Sequence, residues 1–386
     1  MKESIEIRNV GPLRDVYISD IKPLTVLIGE SASGKSTLMK VLVLMRYVYK
    51  MLNIRWYLKN AGVTRSPFRL KIDRLLQDDL AIYVKRSENA YIKYSVTVNG
   101  HTYSVEYTNG ELLTNEAANI PNEDLYFLKE SWISETRNVI PMWSFKAPSN
   151  KKAELGFYFH ETLYDFDKAT DVVKRIGLDY VGMNLRVAAQ NGKKKYFVAP
   201  QDESYEEIEL KDASSGIQTS APLAMLVYYF SHEYSFKEAG RRSIIDYLYE
   251  QDRLTMYRPE LEVMDLHKAV HIHIEEPELS LFPNAQCKLM DEIVHTAFQA
   301  KREDRSLGIM LATHSPYIVN YLNVMLHQTQ DQRAKVSADQ LGVFRIYEGQ
   351  VQNLMARTNA GKWLVNTADM TEQMKAIYEE YQSLNR

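Results

Sequence analysis

The chain has 386 residues, of which 45% are hydrophobic and 11% aromatic, enough to fill a sizeable core and to exclude a disordered chain. Forty-seven Lys and Arg against 50 Asp and Glu leave a net charge of −3, which excludes recruitment of nucleic acid by a global positive field and restricts any DNA contact to a local face. The one cysteine, Cys287, excludes an internal disulfide and fits a reducing cytoplasm, and apolar runs such as LAMLVYYF at 223–230 fall short of the roughly 20 residues that span a bilayer.

The opening MKESIEIRNVG alternates charged and apolar residues and lacks the apolar core of a signal peptide, so a cytoplasmic protein is expected. Two strands are predicted first: Ile5 and Ile7 alternate with charges, Gly11-Pro12 turns the chain, and Val16 and Ile18 alternate again. Leu24 to Ile28 forms a third strand running into a glycine loop, and Leu38 to Tyr47 continues as a helix. The segment 55–80 reads as helix plus loop, and its basic part, 55–74, as a solvated face or a DNA-contacting arm. Ile92, Tyr94, Val96 and Val98 alternate before Asn99-Gly100, and Tyr103, Val105 and Tyr107 after it, a type I′ hairpin signal.

Helical spacing of Phe157, Leu163, Phe166 and Val172 predicts a helix over 154–175, and β character returns over 194–210. Helices are expected at 221–237 and 241–254, then a strand at KAVHIHI, a helix over 284–300, a strand at GIMLAT and a helix from Tyr317 to Leu326. A strand at GVFRIYEG and a terminal helix at MTEQMKAIYEEYQSL complete the series. Strands alternating with helices around an amino-terminal phosphate loop indicate an α/β fold with a mostly parallel central sheet. No linker-like composition divides the chain, so one composite domain over 1–386 is expected.

GESASGKST matches the phosphate-loop pattern at Gly29, Gly34, Lys35 and Ser36. Backbone amides from Gly29, Glu30, Ser31, Ala32, Ser33, Gly34, Lys35, Ser36 and Thr37 would wrap the phosphates; Lys35 would reach the β and γ oxygens and Ser36 would hold Mg2+. AVHIHIEEPELSLFP ends an apolar strand at Glu275 and Glu276, and Pro277 stops it. Beside a phosphate loop the first carboxylate can orient Mg2+ and the second can polarise the attacking water. In LATHSPYIV the strand-end His314 can contact the γ-phosphate or that water, sensing which nucleotide is bound. In DASSGIQTSAPL, Ser214, Ser215 and Gly216 open a helix with an apolar stripe of Leu223, Leu226, Val227, Phe230 and Tyr234, and helix-start amides make an anion site. His267, His271 and His273 read as packed or hydrogen-bonded strand residues, since no third metal ligand has clear spacing.

Together these motifs resemble the ABC-type ATPase heads of the SMC and RecF group, and most closely the OLD-like ATPases of bacterial phage-defence systems. The stretch IEIRNVGPLRDVYISDIKPLTVLIGESASGKST resembles their amino-terminal pattern, SSGIQ their signature, HIHIEEPELSLFP their Walker B and D-loop, and ATHSP their switch histidine. The resemblance implies an ABC-type ATPase head with a P-loop and antiparallel β lobe with inserted helices over 1–140, and a signature, Walker B and switch lobe over 141–386. It puts Glu275 at the Walker B position, usually aspartate, Glu276 at the catalytic glutamate, and Ser215 and Gly216 where the signature contacts the γ-phosphate of an opposing subunit. Ile217 replaces the second signature glycine, and no residue fits a Q-loop glutamine. WISETRN resembles a family segment ending in an acid and an arginine, but Ser134 replaces its proline, which weakens any role assigned to Glu135 and Arg137.

The resemblance thus implies an ATP- and Mg2+-dependent ATPase that forms a head-to-tail homodimer, with assembly into a larger ring, and that acts as the sensor or scaffold of an anti-phage system. A separate effector, a nuclease or toxin, and a phage-encoded trigger are the expected partners, as for the stand-alone ATPases of PARIS and Septu systems. The rival is a RecF-like DNA-repair clamp. A transporter ATPase is disfavoured by the long interval from Gly216 to Glu276, and long coiled coils are excluded by the lack of sustained heptads. No Toprim nuclease is expected after His314.

Overall fold

The computed structural model describes residues 1–63, 76, 78–114, 117, 119–142, 156–190, 193–250, 253–260, 262–329 and 333–384. Most of the basic arm expected at 55–74 lies outside them. The strands are β1 Lys2–Val10, β2 Leu13–Ile18, β3 Leu24–Ile28, β4 Tyr91–Val98, β5 His101–Thr108, β6 Glu111–Leu113, β7 Tyr126–Ile133, β8 Arg175–Leu178 and β9 Met183–Gln190. They continue with β10 Lys193–Pro200, β11 Ile208–Glu209, β12 His267–Glu275, β13 Ser306–Thr313, β14 Leu341–Tyr347, β15 Gln350–Asn353, β16 Met355–Arg357 and β17 Trp363–Val365. The principal helices are α1 Lys35–Asn60, α2 Asp78–Lys85, α3 Phe157–Val172, α4 Ser215–Tyr228, α5 Pro283–Val294, α6 Pro316–Leu326 and α7 Ala368–Leu384.

The fold is mixed α/β, as expected. One large sheet has the order β6-β5-β4-β1-β2-β15-β14-β3-β13-β12-β7 among the described residues. From β14 to β7 every neighbour is parallel, whereas β6 to β2 forms an antiparallel wing. The wing joins the parallel part through one parallel bridge, Gln350 with Asp15, reinforced by the amides of Arg14 and Asp15 donating to Gly349 O at 2.8 and 3.1 Å. Parallel strands need cover on both faces, and β3 and all of β12 after Lys268 are correspondingly buried throughout.

The Asn99-Gly100 hairpin forms as expected, with φ of 49° and 86° at its two turn residues and Val98 paired with His101. Helix α1 runs well beyond Tyr47, to Asn60. Its buried positions, among them Leu42, Met45, Tyr49, Leu52 and Leu58, keep facing the sheet. It stops at Gly62, φ 89°, where the Val63 amide reaches back to Leu58 O at 2.9 Å.

Three expectations are corrected. Val172 is 53% exposed, because it ends α3 where the chain turns and Val173 takes the buried place. The helix spacing of 221–237 belongs to a helix that opens at Ser215, where the serine-glycine motif put its start, and that passes through a π turn at Tyr229–Glu233 before Tyr234 breaks it; the helical path from Phe236 is described as far as Glu250. The β region at 194–210 belongs to a second, antiparallel sheet β11-β10-β9-β8 that begins at Arg175. Among the described residues no helix is long and apolar enough to cross a membrane.

A charged cluster lies buried between α1 and the sheet. Arg46 grips Glu3 with two bonds, Nε to Oε1 at 2.9 Å and Nη2 to Oε2 at 2.6 Å, and Tyr94 donates to the same carboxylate. His273 Nε2 lies 3.1 Å from Arg46 Nη1, and His271 Nδ1 lies 2.7 Å from Glu130 Oε1. His267 is exposed and stacks on Tyr126. The histidine trio is thus hydrogen-bonded and packed.

Burial alone would raise the Glu3 carboxyl, but the Arg46 charge overrides it and holds the group at about 2. A folded-state value below the ordinary 4.5 means that the stabilisation is complete above about pH 4.5 and is lost as pH falls toward 2. Removing Arg46 strands a buried carboxylate, so Arg46→Ala is expected to destabilise the fold by about 3–5 kcal/mol in urea melts at neutral pH. Melts of the wild type should lose stability across the same acid window.

Candidate active site

The three parallel strands β3, β13 and β12 end level with one another, Ile28 opposite Thr313 and Ala312 opposite Glu275. The carboxyl edge of such strands is where open α/β sheets bind ligands. Leaving β3, the chain needs glycine at once: a Cβ on Gly29 would lie 2.5 Å from Ile346 O. The loop closes through Ala32, φ 61°, and Gly34, φ 107°, and α1 starts at Lys35 with no acidic residue in its first turn. The positive end of a long helix therefore faces the loop, with no acid in its own first turn.

Lys35 is nearly buried and folds its ammonium onto Gly29 O at 2.8 Å and Glu30 O at 2.9 Å. Burial pulls its pKa down, while the Glu276 and Glu278 carboxylates push back. Facing it, Glu275 is 8% exposed and shares a hydrogen bond with the Glu135 carboxyl, while Ser36 also hydrogen-bonds Glu275. Burial and this second carboxylate push Glu275 up to about 8, and the bond from Glu275 holds Glu135 below its ordinary value. Two carboxyls this close resist ionising together, so the pair as a whole favours holding a proton.

Ser36, Glu275 and Glu135 form a set of hard oxygen donors of the kind Mg2+ prefers, and two acids this close suit a dication in place of their shared proton. The residues present therefore fit the ion.

Glu276 is in the left-handed region at φ 44°, a conformation that costs a non-glycine residue about 1–3 kcal/mol and collects at functional sites. Two backbone bonds hold it there: its amide donates to Ala312 O at 2.8 Å, and its carbonyl accepts from Arg137 Nη2 at 2.6 Å. Its Oε1 lies 3.7 Å from His314 Nε2, with both side chains about one-third exposed. The amide of His314 donates to Glu278 Oε1 at 2.6 Å, which fixes where the ring leaves the strand. Ser315 then caps α6 by accepting from the Ile318 amide at 3.3 Å.

These groups enclose one cavity of about 740 Å³. The loop residues Ser31 to Thr37, Glu275, Glu276 and His314 all line it. Gly29 and Glu30 stand behind it, holding Lys35 through their carbonyls. Ser215 and Gly216 do not line it. They open α4 elsewhere, where a Cβ on Gly216 would meet Ser280 O at 2.8 Å.

Glu135, whose role the change to Ser134 weakened, lines the cavity, and the Ser134 hydroxyl donates to its Oε2 at 2.9 Å. Lys40 and Tyr83 also line the cavity without having been singled out. Lys40 pairs with Asp79 of α2 at 2.8 Å. Its spacing, four residues after Ser36 on a helix, was a readable signal.

A phosphate loop at the carboxyl edge of a parallel sheet, facing paired acids and a strand-end histidine, is an arrangement suited to binding and hydrolysing a nucleoside triphosphate. Residues 129–319 match the protein-family model described as AAA ATPase domain, AAA_15. That region contains Glu135, Arg137, Ser215, Gly216, Glu275, Glu276 and His314. No curated protein matches the chain.

Among solved structures, the chain is similar to an SMC head domain from Thermotoga maritima at 11% identity, over 92% of this chain and 99% of that one, with a TM-score of 0.38. It is similar to an SmcHead bound to the C-winged helix domain of ScpA at 10% identity, 91% and 97% coverage and a TM-score of 0.39. A structure of the recombination mediator protein RecF, titled RecF-ATPrS in the RecFOR pathway, is similar at 12% identity, 92% and 98% coverage and a TM-score of 0.35.

Proposed function

We propose that the protein is a Mg2+-dependent ATPase whose active site is completed by a second copy of the chain, and that it works as the sensor or scaffold of an anti-phage system. The observation that carries the composite site is the separation just described. The cavity is lined by the loop residues Ser31 to Thr37 with Glu275, Glu276 and His314, whereas Ser215 and Gly216 start a helix outside its lining. A helix start whose first turn holds no acid suits a phosphate, and here that phosphate belongs to the opposing copy.

In this reading the loop amides and Lys35 hold the β- and γ-phosphates. Mg2+ held by Ser36 and Glu275, with Glu135 beside them, supplies charge neutralisation on the phosphate oxygens. Glu276 orients a water and accepts its proton as the oxygen bonds to the γ-phosphorus. The bond to the β–γ bridging oxygen breaks and ADP departs. His314, beside Glu276, reports whether a γ-phosphate is present.

The defence role rests on the resemblance of SSGIQ, EEPE and ATHSP together to the OLD-like ATPases, and it makes the toxic activity that of a separate effector. The test is affinity capture of Glu276→Gln protein from its own host with ATP and Mg2+, followed by identification of bound protein and nucleic acid. A stoichiometric effector protein is the expected result. Duplex DNA with no protein would overturn the defence role in favour of a RecF-like DNA clamp.

A further inference from the structure

Arg137 is fully buried and touches neither the loop nor the cavity, yet it joins three parts of the site. It stands in the 3-10 turn Glu135–Met142 that follows β7. Its Nη1 donates to Ser134 O at 3.0 Å and Glu275 O at 2.7 Å, its Nη2 to Glu276 O at 2.6 Å, and its Nε to Thr219 O at 2.9 Å. All four acceptors are main-chain carbonyls. A planar guanidinium is the side chain that can bridge several fixed carbonyls at once, because its donors form a rigid fork.

Two of those carbonyls belong to Glu275 and Glu276, and the third connection reaches α4 one turn after Ser215. The same turn of α4 is tied to the acidic segment independently. Thr219 Oγ1 lies 2.9 Å from Leu279 O, and Gly216 packs so closely on Ser280 O that a side chain would not fit. The start of α4 and the backbone of residues 275–280 are therefore fastened together on one side by Arg137 and on the other by Thr219.

We propose that Arg137 is a positioning residue for hydrolysis. It holds the left-handed backbone of Glu276 and links it to the start of α4, so that seating Ser215 and Gly216 on the nucleotide of one copy sets Glu276 over the nucleotide of the other. This rests on the composite-site reading above and adds its regulation: each site becomes competent only when the helix start on the same chain is engaged. A dimer holding one nucleotide then has its loaded site and its primed glutamate on different chains.

The test is steady-state turnover of Mg2+-ATP by the full chain carrying Arg137→Ala or Arg137→Lys, beside Glu276→Gln. Arg137→Ala is expected to lower kcat by about 100-fold, the scale of an ångström-level misplacement, with KM and the Kd for ATP unchanged. Millimolar methylguanidinium, which can refill the vacated space, is expected to restore part of kcat. A merely structural role predicts a joint loss of kcat and ATP affinity with no rescue, and that result would overturn the proposal.

Should Arg137→Ala fail to fold, Arg137→Lys carries the test, because an ammonium keeps the charge but cannot span the Thr219 and Glu276 carbonyls. It is expected to lower kcat at constant KM, and wild-type kcat in it would sink the idea. The ATPase reading fails separately, if the wild type shows no turnover that Glu276→Gln removes.

Discussion

Glu276→Gln is expected to lower ATP turnover by about 10²–10⁴-fold, the range contributed by a positioned general base, while the protein still binds ATP. Gln keeps the size and hydrogen-bonding shape of the side chain but cannot accept the proton of the attacking water. The backbone restraints on residue 276, from the Ala312 carbonyl and the Arg137 guanidinium, are untouched by the change. Phosphate release measured alongside nucleotide retained after desalting separates the two effects. Retained ATP and dimeric mass are expected together, because the γ-phosphate that holds two copies would persist. Turnover at the wild-type rate would remove Glu276 from the reaction.

Lys35→Ala acts one step earlier, on binding. Its ammonium is the cation placed directly by the loop, and its loss removes charge-assisted bonds to the phosphates. ATP affinity is expected to weaken by about 1.5–3 kcal/mol, roughly 10- to 150-fold in Kd, by titration calorimetry. The variant also leaves Gly29 O and Glu30 O without the donor they now share. A second variant, Lys35→Met, keeps the packed stem and distinguishes loss of charge from collapse of the loop. Unchanged affinity in both variants would show that the phosphates lie elsewhere.

Much of this site was legible because its chemistry is local in sequence. The loop from Gly29 to Thr37, the Glu275–Glu276 pair and His314 each sit at a strand end that hydrophobic patterning locates, and all but the first two loop residues line one cavity. Glu135 and Arg137 were legible only as a resemblance of WISETRN, because their roles depend on contacts across the sheet and with α4. Ser134 looked like a departure from the pattern until its hydroxyl was seen to fix the Glu135 carboxylate. The length of α1 was missed because a helix buried on most of its circumference gives little polar contrast. The start of α4 at Ser215 was legible from its serine-glycine motif, although Pro222 lies inside the helix.

The large sheet is not equally strong along its width. At the β2–β15 junction it narrows to one bridge and two amide bonds to Gly349, a glycine so tightly approached that a Cβ would lie 2.6 Å from Pro12 O. Pro12, on the wing side of that seam, lines the cavity together with loop residues carried by the parallel side, and Leu13 packs against Gly34. A nucleotide in the cavity therefore acts as a rivet across the thinnest line of the sheet. The stiffness of the large sheet would then depend on whether the cavity is filled.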